Sequence, residues 1–455
     1  MTIVNSVGLP TVASVVSAPD LTVRTLGTAR INSPLSGMLD AWKTTEHYVS
    51  EHDRVLLDDT LSTAVSRGLP VAELPGLEPC GPRRKIFFDP SKTRAGIVTC
   101  GGLCPGLNDV IRGLVRSLTH QYGVRRVTGF RNGYQGFVAS YAHDIVELTP
   151  NRVADITVEG GTVLGTSRGH QDPEDIVDCL ERLNINVLFV IGGDGTMRGA
   201  MRIVAAAAAR ELRISVVGIP KTIDNDIPYI DQSFGFQTAF AQAAESIRAV
   251  NTEAKSTPHG IGLVKLMGRH SGFIAAYAAL ANHDADVVLI PEVPFELDGP
   301  DGLLAYVHRR MHERGHTVVV VAEGAGQDLL ADGQAGSTDP SGNTRLRDIG
   351  PYLGTRIDEY LRAAGMVPSI RYIDPSYAIR SVPANAYDKA YCLRLAYNAV
   401  HAAMAGRTAM VVGRLRRRFV HIPMALVVSR RNQVDPHGDL WMSVLEATGQ
   451  PMRMG

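Results

Sequence analysis

INVLFVIGGDGTMRGAMRIVAAAAARE, residues 185–211, carries the fold signal in one run. The apolar stretch VLFVI, ending at a glycine pair, reads as a short strand buried on both faces, because neither face leaves a place for polar groups. MRGAMRIVAAAAARE, rich in alanine with arginines spaced along it, reads as a helix. Between them, three glycines and one carboxylate occupy residues 192–195. Such a turn can be a simple strand-to-helix connection. It can also bring backbone N–H groups close to phosphate oxygens while the aspartate holds a metal ion.

Outward from that unit the same alternation repeats. Upstream, AGIVTC (95–100) is a strand, NDVIRGLVRSLTHQ a helix and RRVTGF a strand; HDIVELT and GTVLGT follow, and PEDIVDCLERLN is a helix. Downstream, ISVVGIP, GIGLVKLM, ADVVLIP, TVVVVAEG and SIRYIDPS are strands. Between them, FQTAFAQAAESIRAVNTEA, GFIAAYAALANH, LLAYVHRRMHERG and IGPYLGTRIDEYLRAAG read as helices. DLLADGQAGSTDPSGNTRLRD is a polar loop, and NAYDKAYCLRLAYNAVHAAMAG a long helix whose small residues allow close packing. Strands alternating with helices imply an α/β fold with doubly wound parallel sheets. The chain divides into an N-terminal extension (1–93), two similar lobes (94–235 and 236–405) and a C-terminal segment crossing back (406–455). Ligands are then expected between the lobes, at strand C-terminal ends.

A chain of 455 residues exceeds what one core usually covers, which agrees with two lobes. Lys+Arg and Asp+Glu balance at 46 each, so no global field recruits nucleic acid or an acidic membrane surface. No uninterrupted apolar run reaches the length of a membrane span, and the first residues lack the basic start and long apolar core of a signal peptide. The 5 cysteines are scattered without Cys-x-x-Cys spacing, pointing to a reducing, intracellular setting and no zinc site.

Three glycine-rich turns stand at strand ends of the first lobe: CGGLCPGLND (100–109), LGTSRGHQ (164–171) and GGDGTMRG (192–199). One alone would be structural; together they point to a polyphosphate cradle, since glycine removes the side chains that keep phosphates away from N–H groups. Arg168 adds a charged donor. Asp194 suits Mg²⁺, which takes one or two carboxylates plus phosphate oxygens. GIPKTIDNDIP (218–228) then sets Asp224 and Asp226 two residues apart. In a turn, one meets a substrate hydroxyl while the other meets a metal or a basic side chain. Phosphoryl transfer to an alcohol needs such a base, and Lys221 offers a cation for the phosphoryl group. Neither the dinucleotide fingerprint nor the P-loop pattern is present.

GGLCPGLNDVIRG, LGTSRGHQDP, GGDGTMRGA, PKTIDNDI, FGFQTA, VKLMGRHSGFIA, VAEGAGQD and YIDPSYAIR occur in the order found in 6-phosphofructokinases. From about residue 85 to the end the chain resembles that family, most of all its long-chain ATP-dependent subgroup from trypanosomatids and plants. The GGDGT turn alone is shared with NAD and lipid kinases; PKTIDND and MGRHSG together are not. The resemblance implies two Rossmann-like lobes and transfer of the γ-phosphoryl of ATP to the 1-hydroxyl of fructose 6-phosphate in glycolysis. It places Gly101, Arg168, Gly169, Gly193, Gly195 and Thr196 on the nucleotide, with Asp194 on Mg²⁺. Thr222, Ile223 and Asp224 would meet the sugar, Asp224 as proton acceptor, with Lys221, Thr222 and Arg269 completing the catalytic set. Met267, Gly268, Arg269 and Glu323 would bind fructose 6-phosphate, and Tyr377, Ala378, Ile379 and Arg380 would surround its phosphate. A cytoplasmic, allosteric homo-oligomer (dimer or tetramer) is implied too. The short bacterial form has an arginine where this chain has Gly260 and a histidine where it has Tyr377, so that form's effector pattern does not transfer.

The donor depends on Gly195 and Lys221. Pyrophosphate-dependent members generally carry Asp at the place of Gly195, where a carboxylate repels the α-phosphate. Lys221 is typical of those members, but the long ATP-using subgroup combines Gly and Lys as this chain does, so ATP is expected. The alternatives are a pyrophosphate-dependent phosphofructokinase, with or without action on sedoheptulose 7-phosphate, or a silent nucleotide-sensing subunit, against which intact Asp194, Asp224, Arg269 and Arg380 argue.

Overall fold

The computed structural model describes residues 19–35, 48–62, 68, 70, 73–330 and 345–455. Most of the polar loop anticipated at 328–348 (residues 331–344) lies outside them.

Of the short strands in the N-terminal extension, β1 (Val55–Leu56) and β2 (Gly76–Pro79) join the first sheet. The first lobe follows with β3 (Arg94–Thr99), α1 (Leu107–Arg116), β4 (Arg126–Phe130), β5 (Ile145–Glu147), α2 (Pro173–Arg182), β6 (Val187–Gly192), α3 (Asp194–Ala209) and β7 (Ser215–Pro220). The second lobe holds α4 (Phe236–Lys255), β8 (Gly260–Leu266), α5 (Phe273–Asn282), β9 (Val287–Leu289), α6 (Leu303–Arg314), β10 (His316–Ala322), α7 (Ile349–Ala363), β11 (Ser369–Ile373) and α8 (Ser376–Ser381). The chain ends with α9 (Ala386–Met404), β12 (Met410–Leu415), β13 (Arg418–Pro423), α10 (Met424–Val427) and α11 (Asp439–Thr448).

Among the described residues the first sheet has nine strands in the order β1-β2-β13-β12-β7-β6-β3-β4-β5. β4, β3, β6, β7 and β12 run parallel, and antiparallel strands close both edges. From β3 the chain moves first to β4 on one side and later to β6 on the other. The two loops leaving β3 and β6 therefore part at a switch point, and a crevice opens outside their C-terminal ends. All six residues of β6 are buried, as the unbroken apolar run requires. Phe189 and Ile191 face the layer of α1 and α9, whereas Leu188 and Val190 face that of α2 and α3.

The second sheet has four parallel strands in the order β9-β10-β8-β11. The lobes share handedness and layering, but not size. The expected limit at residue 405 also departs from the packing. α9 lies against α1, with Leu395, Ala396 and Ala399 in the core of the first sheet. Gly113 makes this possible: a Cβ there would stand 2.7 Å from that of Ala396. The C-terminal segment serves both lobes, adding β12 and β13 to the first sheet and burying Trp441 of α11 in the second core.

The described part of the extension covers the edge of the first sheet, which would otherwise expose unpaired strand groups. Glu78 on β2 anchors it by accepting from Arg83 at 2.7 Å and from Arg407. Removing one partner of such a buried ion pair costs about 3–5 kcal/mol, because the other charge is left without compensation.

Candidate active site

The switch-point crevice opens into a cavity of about 570 Å³ between the two sheets. The three glycine-rich turns form one wall. Gly101, at φ +84°, donates its N–H to Ser167 O at 3.1 Å, and Thr166 Oγ1 donates to Gly101 O at 2.6 Å, so the first two turns are tied together. Gly169 also has positive φ, which an L side chain resists, and Arg168 beside it lines the cavity. In the third turn Gly193 precedes α3, and Asp194, Gly195 and Thr196 form the helix's first turn, with its free N–H groups and positive dipole end at the cavity. A Cβ on Gly195 would meet nothing within 4 Å. The third glycine thus opens onto free space rather than onto packing.

Arg198, one helical turn on, donates to Asp194 Oδ2 at 3.3 Å, and its Nε stands 3.3 Å from the buried Oδ1 as an ion pair without hydrogen-bond geometry. Arg198 was not among the expected residues, although i,i+4 spacing on a helix was enough to pair the two.

The loop after β7 crosses the middle of the cavity. Lys221 N donates to Gly192 O at 2.9 Å, and its buried Nζ donates to Gly102 O at 2.7 Å, placing the ammonium among the glycine turns. Burial pulls its pKa down. Thr222 Oγ1 donates to Asp226 Oδ1 at 2.7 Å and accepts from Asp224 N at 3.2 Å. Of the two carboxylates, Asp226 therefore meets a hydroxyl and a basic side chain, Arg431 at 3.4 Å. Asp224 is different: its Oδ1 is buried without a hydrogen bond. Burial, then the charges of Asp226 and Glu323, push its pKa up to about 8 against the pull of Arg269 and Lys221.

The far wall comes from the second lobe. After β8, Met267 and Arg269 reach the cavity, while Gly268 at φ +130° turns the chain and lines nothing itself. Its carbonyl accepts from Gly324 N at 3.1 Å, and Glu323 N donates to Leu266 O at 2.8 Å, which sets Glu323 in the field of Arg269. Burial raises the Glu323 pKa and that arginine lowers it. Arg380 of α8 also lines the cavity, stacked 4.6 Å above the ring of Tyr377.

Most of the expected residues thus converge, including Ile223 and Thr222. Tyr377, Ala378 and Ile379 do not line the cavity: Tyr377 is 74% exposed, Ala378 faces outward, and the Ile379 side chain is packed in the second core at 1% exposure. A short helix that points Arg380 at the cavity turns the Ile379 side chain into the core instead. Val427, Arg430 and Arg431 reach the cavity from the C-terminal segment, where no glycine turn or motif marked them. Among the described residues no group of three or more His, Cys, Asp or Glu could hold a metal by itself, and no helix is long and apolar enough to cross a membrane.

Glycine-lined N–H groups facing a buried carboxylate across a cationic cleft are what phosphoryl transfer to an alcohol needs. The chain belongs to the phosphofructokinase family, whose model matches residues 94–403. It is 60% identical over 441 residues to an ATP-dependent 6-phosphofructokinase of Amycolatopsis methanolica, covering 96% of each chain. It is 48% identical over 376 residues to ATP-dependent 6-phosphofructokinase 7 of Arabidopsis thaliana, covering 82% of this chain and 77% of that one. A crystal structure of a pyrophosphate-dependent phosphofructokinase from Marinobacter aquaeolei superposes with a TM-score of 0.64, covering 80% of this chain and 92% of the other. At 22% identity that likeness speaks to the fold alone.

Proposed function

We propose that this chain is an ATP-dependent 6-phosphofructokinase, transferring the γ-phosphoryl group of ATP to the 1-hydroxyl of fructose 6-phosphate. The carrying observation is the placement of Asp224, whose Oδ1 is buried without a hydrogen bond, between the glycine turns of one lobe and Arg269, Glu323 and Arg380 of the other. The first lobe holds the nucleotide and the second, from α4 to α8, the sugar phosphate.

Gly101, Arg168, Gly169, Gly193, Gly195 and Thr196 cradle the nucleotide phosphates through N–H groups and one guanidinium. The open space at Gly195 leaves room for an α-phosphate and ribose, which favours ATP. Lys221, buried against the first glycine turn, is the feature that keeps pyrophosphate as a second reading. Asp224 takes the proton of the attacking hydroxyl, Thr222 orients the loop, and Lys221 and Arg269 meet charge developing on the phosphoryl group. Met267, Arg269 and Glu323 hold the sugar, and Arg380 its phosphate. Asp194 Oδ1, buried at the cavity and met only by the Arg198 guanidinium, is the acceptor that fits a cation shared with phosphate oxygens. Asp194 would hold Mg²⁺, which neutralises charge on the transferring group. The protein works in the cytoplasm as a homo-oligomer.

A coupled assay of fructose 1,6-bisphosphate formation, run with ATP and with pyrophosphate as donor, tests this. Turnover with pyrophosphate but not ATP overturns the donor, and turnover of sedoheptulose 7-phosphate alone overturns the acceptor.

A further inference from the structure

The chain that leaves β13 runs along the mouth of the cleft as residues 424–434, beyond the stretch that the family model matches. It is stitched to the first lobe at closely spaced points. Val428 O accepts from Arg198 at 2.8 Å, the Arg430 guanidinium stacks 5.0 Å from the Tyr229 ring, and Arg431 pairs with Asp226 at 3.4 Å. Asn432 donates its N–H to Asp226 O at 2.8 Å and its side-chain amide to Asn225 O at 3.4 Å. The next two residues hold the second lobe: Gln433 donates to His270 O at 2.9 Å and Val434 N to Glu292 Oε1 at 2.8 Å. Glu292 Oε1 also accepts from Gly272 N at 2.9 Å, close to the turn that carries Arg269.

The loop so fastened is strained. Asn225 has φ +58° and Tyr229 φ +64°, and an aromatic residue in the left-handed region costs of order 1–3 kcal/mol. Such a backbone persists only where its surroundings fix it. Within the loop, Ser233 N donates to Asn225 Oδ1 at 2.8 Å, whereas the Asp226 side chain is met, among the described residues, by Thr222 and by Arg431 of the crossing segment.

We propose that residues 424–434 form a strap that positions the catalytic loop, with Arg431 as its positioning residue. Arg431 fixes the Asp226 carboxylate, Asp226 fixes the Thr222 hydroxyl, and that hydroxyl receives the Asp224 N–H. The geometry of Asp224 is thus set from a segment anchored in both lobes. The reaction it serves rests on the phosphofructokinase reading; the positioning role does not.

The test uses the full chain with Arg431→Met, Arg431→Lys and Asn432→Ala. Arg431→Met is expected to lower kcat about tenfold or more while KM for ATP and for fructose 6-phosphate each stay within about threefold, the signature of an interaction that matters at the transition state. Arg431→Lys, which keeps a single charged contact, restores kcat to within about threefold. Independently of activity, amide hydrogen exchange at residues 222–229 is expected to quicken about tenfold in Arg431→Met and measurably in Asn432→Ala. A rise in KM for ATP with kcat retained would make Arg431 a donor ligand and overturn the positioning role. Unchanged exchange at 222–229 overturns it too, whatever the parent proves to phosphorylate. If Arg431→Met does not fold, Arg431→Lys and Asn432→Ala decide by the same exchange measurement.

Discussion

Replacing Gly195 by aspartate separates the donor question from the fold. Gly195 is the second residue of α3, and an added Cβ meets nothing within 4 Å, so no neighbour has to move. Local energetics are mildly favourable: aspartate is a better helix former than glycine by only about 0.3 kcal/mol, and an acidic residue in a first helical turn gains about 0.3–1 kcal/mol from the dipole. The repulsion from Asp194 next door, itself paired with Arg198, offsets part of this. The variant should therefore melt within about 2 °C of the parent.

Its effect on the donor is larger. A carboxylate about 5 Å from an α-phosphate, at an effective dielectric constant of about 20, opposes binding by about 3 kcal/mol per unit charge. That alone is roughly a hundredfold, and displaced ribose adds to it. We expect kcat/KM for ATP to fall at least about a hundredfold while KM for fructose 6-phosphate stays within about threefold, because Arg269 and Arg380 lie on the other lobe. Pyrophosphate has no ester or ribose to exclude, so its relative use should rise. Fructose 1,6-bisphosphate formation, read with either donor, measures both. A folded variant that used ATP as well as the parent would refute the assignment of residue 195 to the nucleotide site.

The other outcomes are more direct. Asp224→Asn should cut kcat at least about a hundredfold with both KM values held, and near-normal turnover removes it as the base. Since its carboxyl sits at about 8 in the free protein, the folded state keeps a proton that the unfolded chain releases, and stability drains away as pH rises from about 4 to 8. The Tm of Asp224→Asn should accordingly gain on that of the parent across that window, and a constant difference would contradict the burial of an unpaired carboxylate. Asp194→Ala should raise the Mg²⁺ concentration needed for half-maximal rate, and unchanged metal dependence would sink its role. Arg380→Ala should raise KM for fructose 6-phosphate roughly ten- to a hundredfold, the loss of one charged hydrogen bond, with little change for ATP; an equal rise in both would remove it from the sugar phosphate.

The parts of this fold that follow from local rules were readable in the sequence. A short run such as VLFVI between glycines reads as a strand buried on both faces, and repeated strand-helix units favour parallel pairing, so most of the central strands and helices lie where their pattern placed them. What the pattern could not give was partnership. Nothing in NAYDKAYCLRLAYNAV says that the helix lies on the first lobe, because the decisive feature is a glycine, Gly113, almost three hundred residues earlier in the chain. The glycine turns and PKTIDND were legible because backbone approach to an anion demands particular residue types at particular spacings. Arginines that reach the same cavity across the fold carry no such constraint. Arg430 and Arg431 look in sequence like any solvated basic pair, and only tertiary structure brings them to Tyr229 and Asp226.

The places where the molecule breaks local rules converge on the same few residues. Asp224 buries one carboxylate oxygen, Oδ1, without a hydrogen bond, Asn225 and Tyr229 hold left-handed backbone, and Lys221 is an ammonium sunk among glycines. Each departure is unfavourable alone, and together they would unfold a free loop. The loop is held at each of these points: Ser233 on Asn225 within it, Arg430 over Tyr229, Gly102 O on Lys221, and Ser271 Oγ on the Asp224 backbone oxygen at 3.2 Å, with Asn432 on Asp226. Those partners come from both lobes and the C-terminal segment, so the loop keeps its shape only when the lobes are correctly docked. A carboxylate held ready to accept a proton is costly to maintain, and this chain spreads that cost over contacts far apart in sequence. For that reason a perturbation at Asn432 or Ser271, neither of which touches substrate in this arrangement, should reach turnover before it reaches binding.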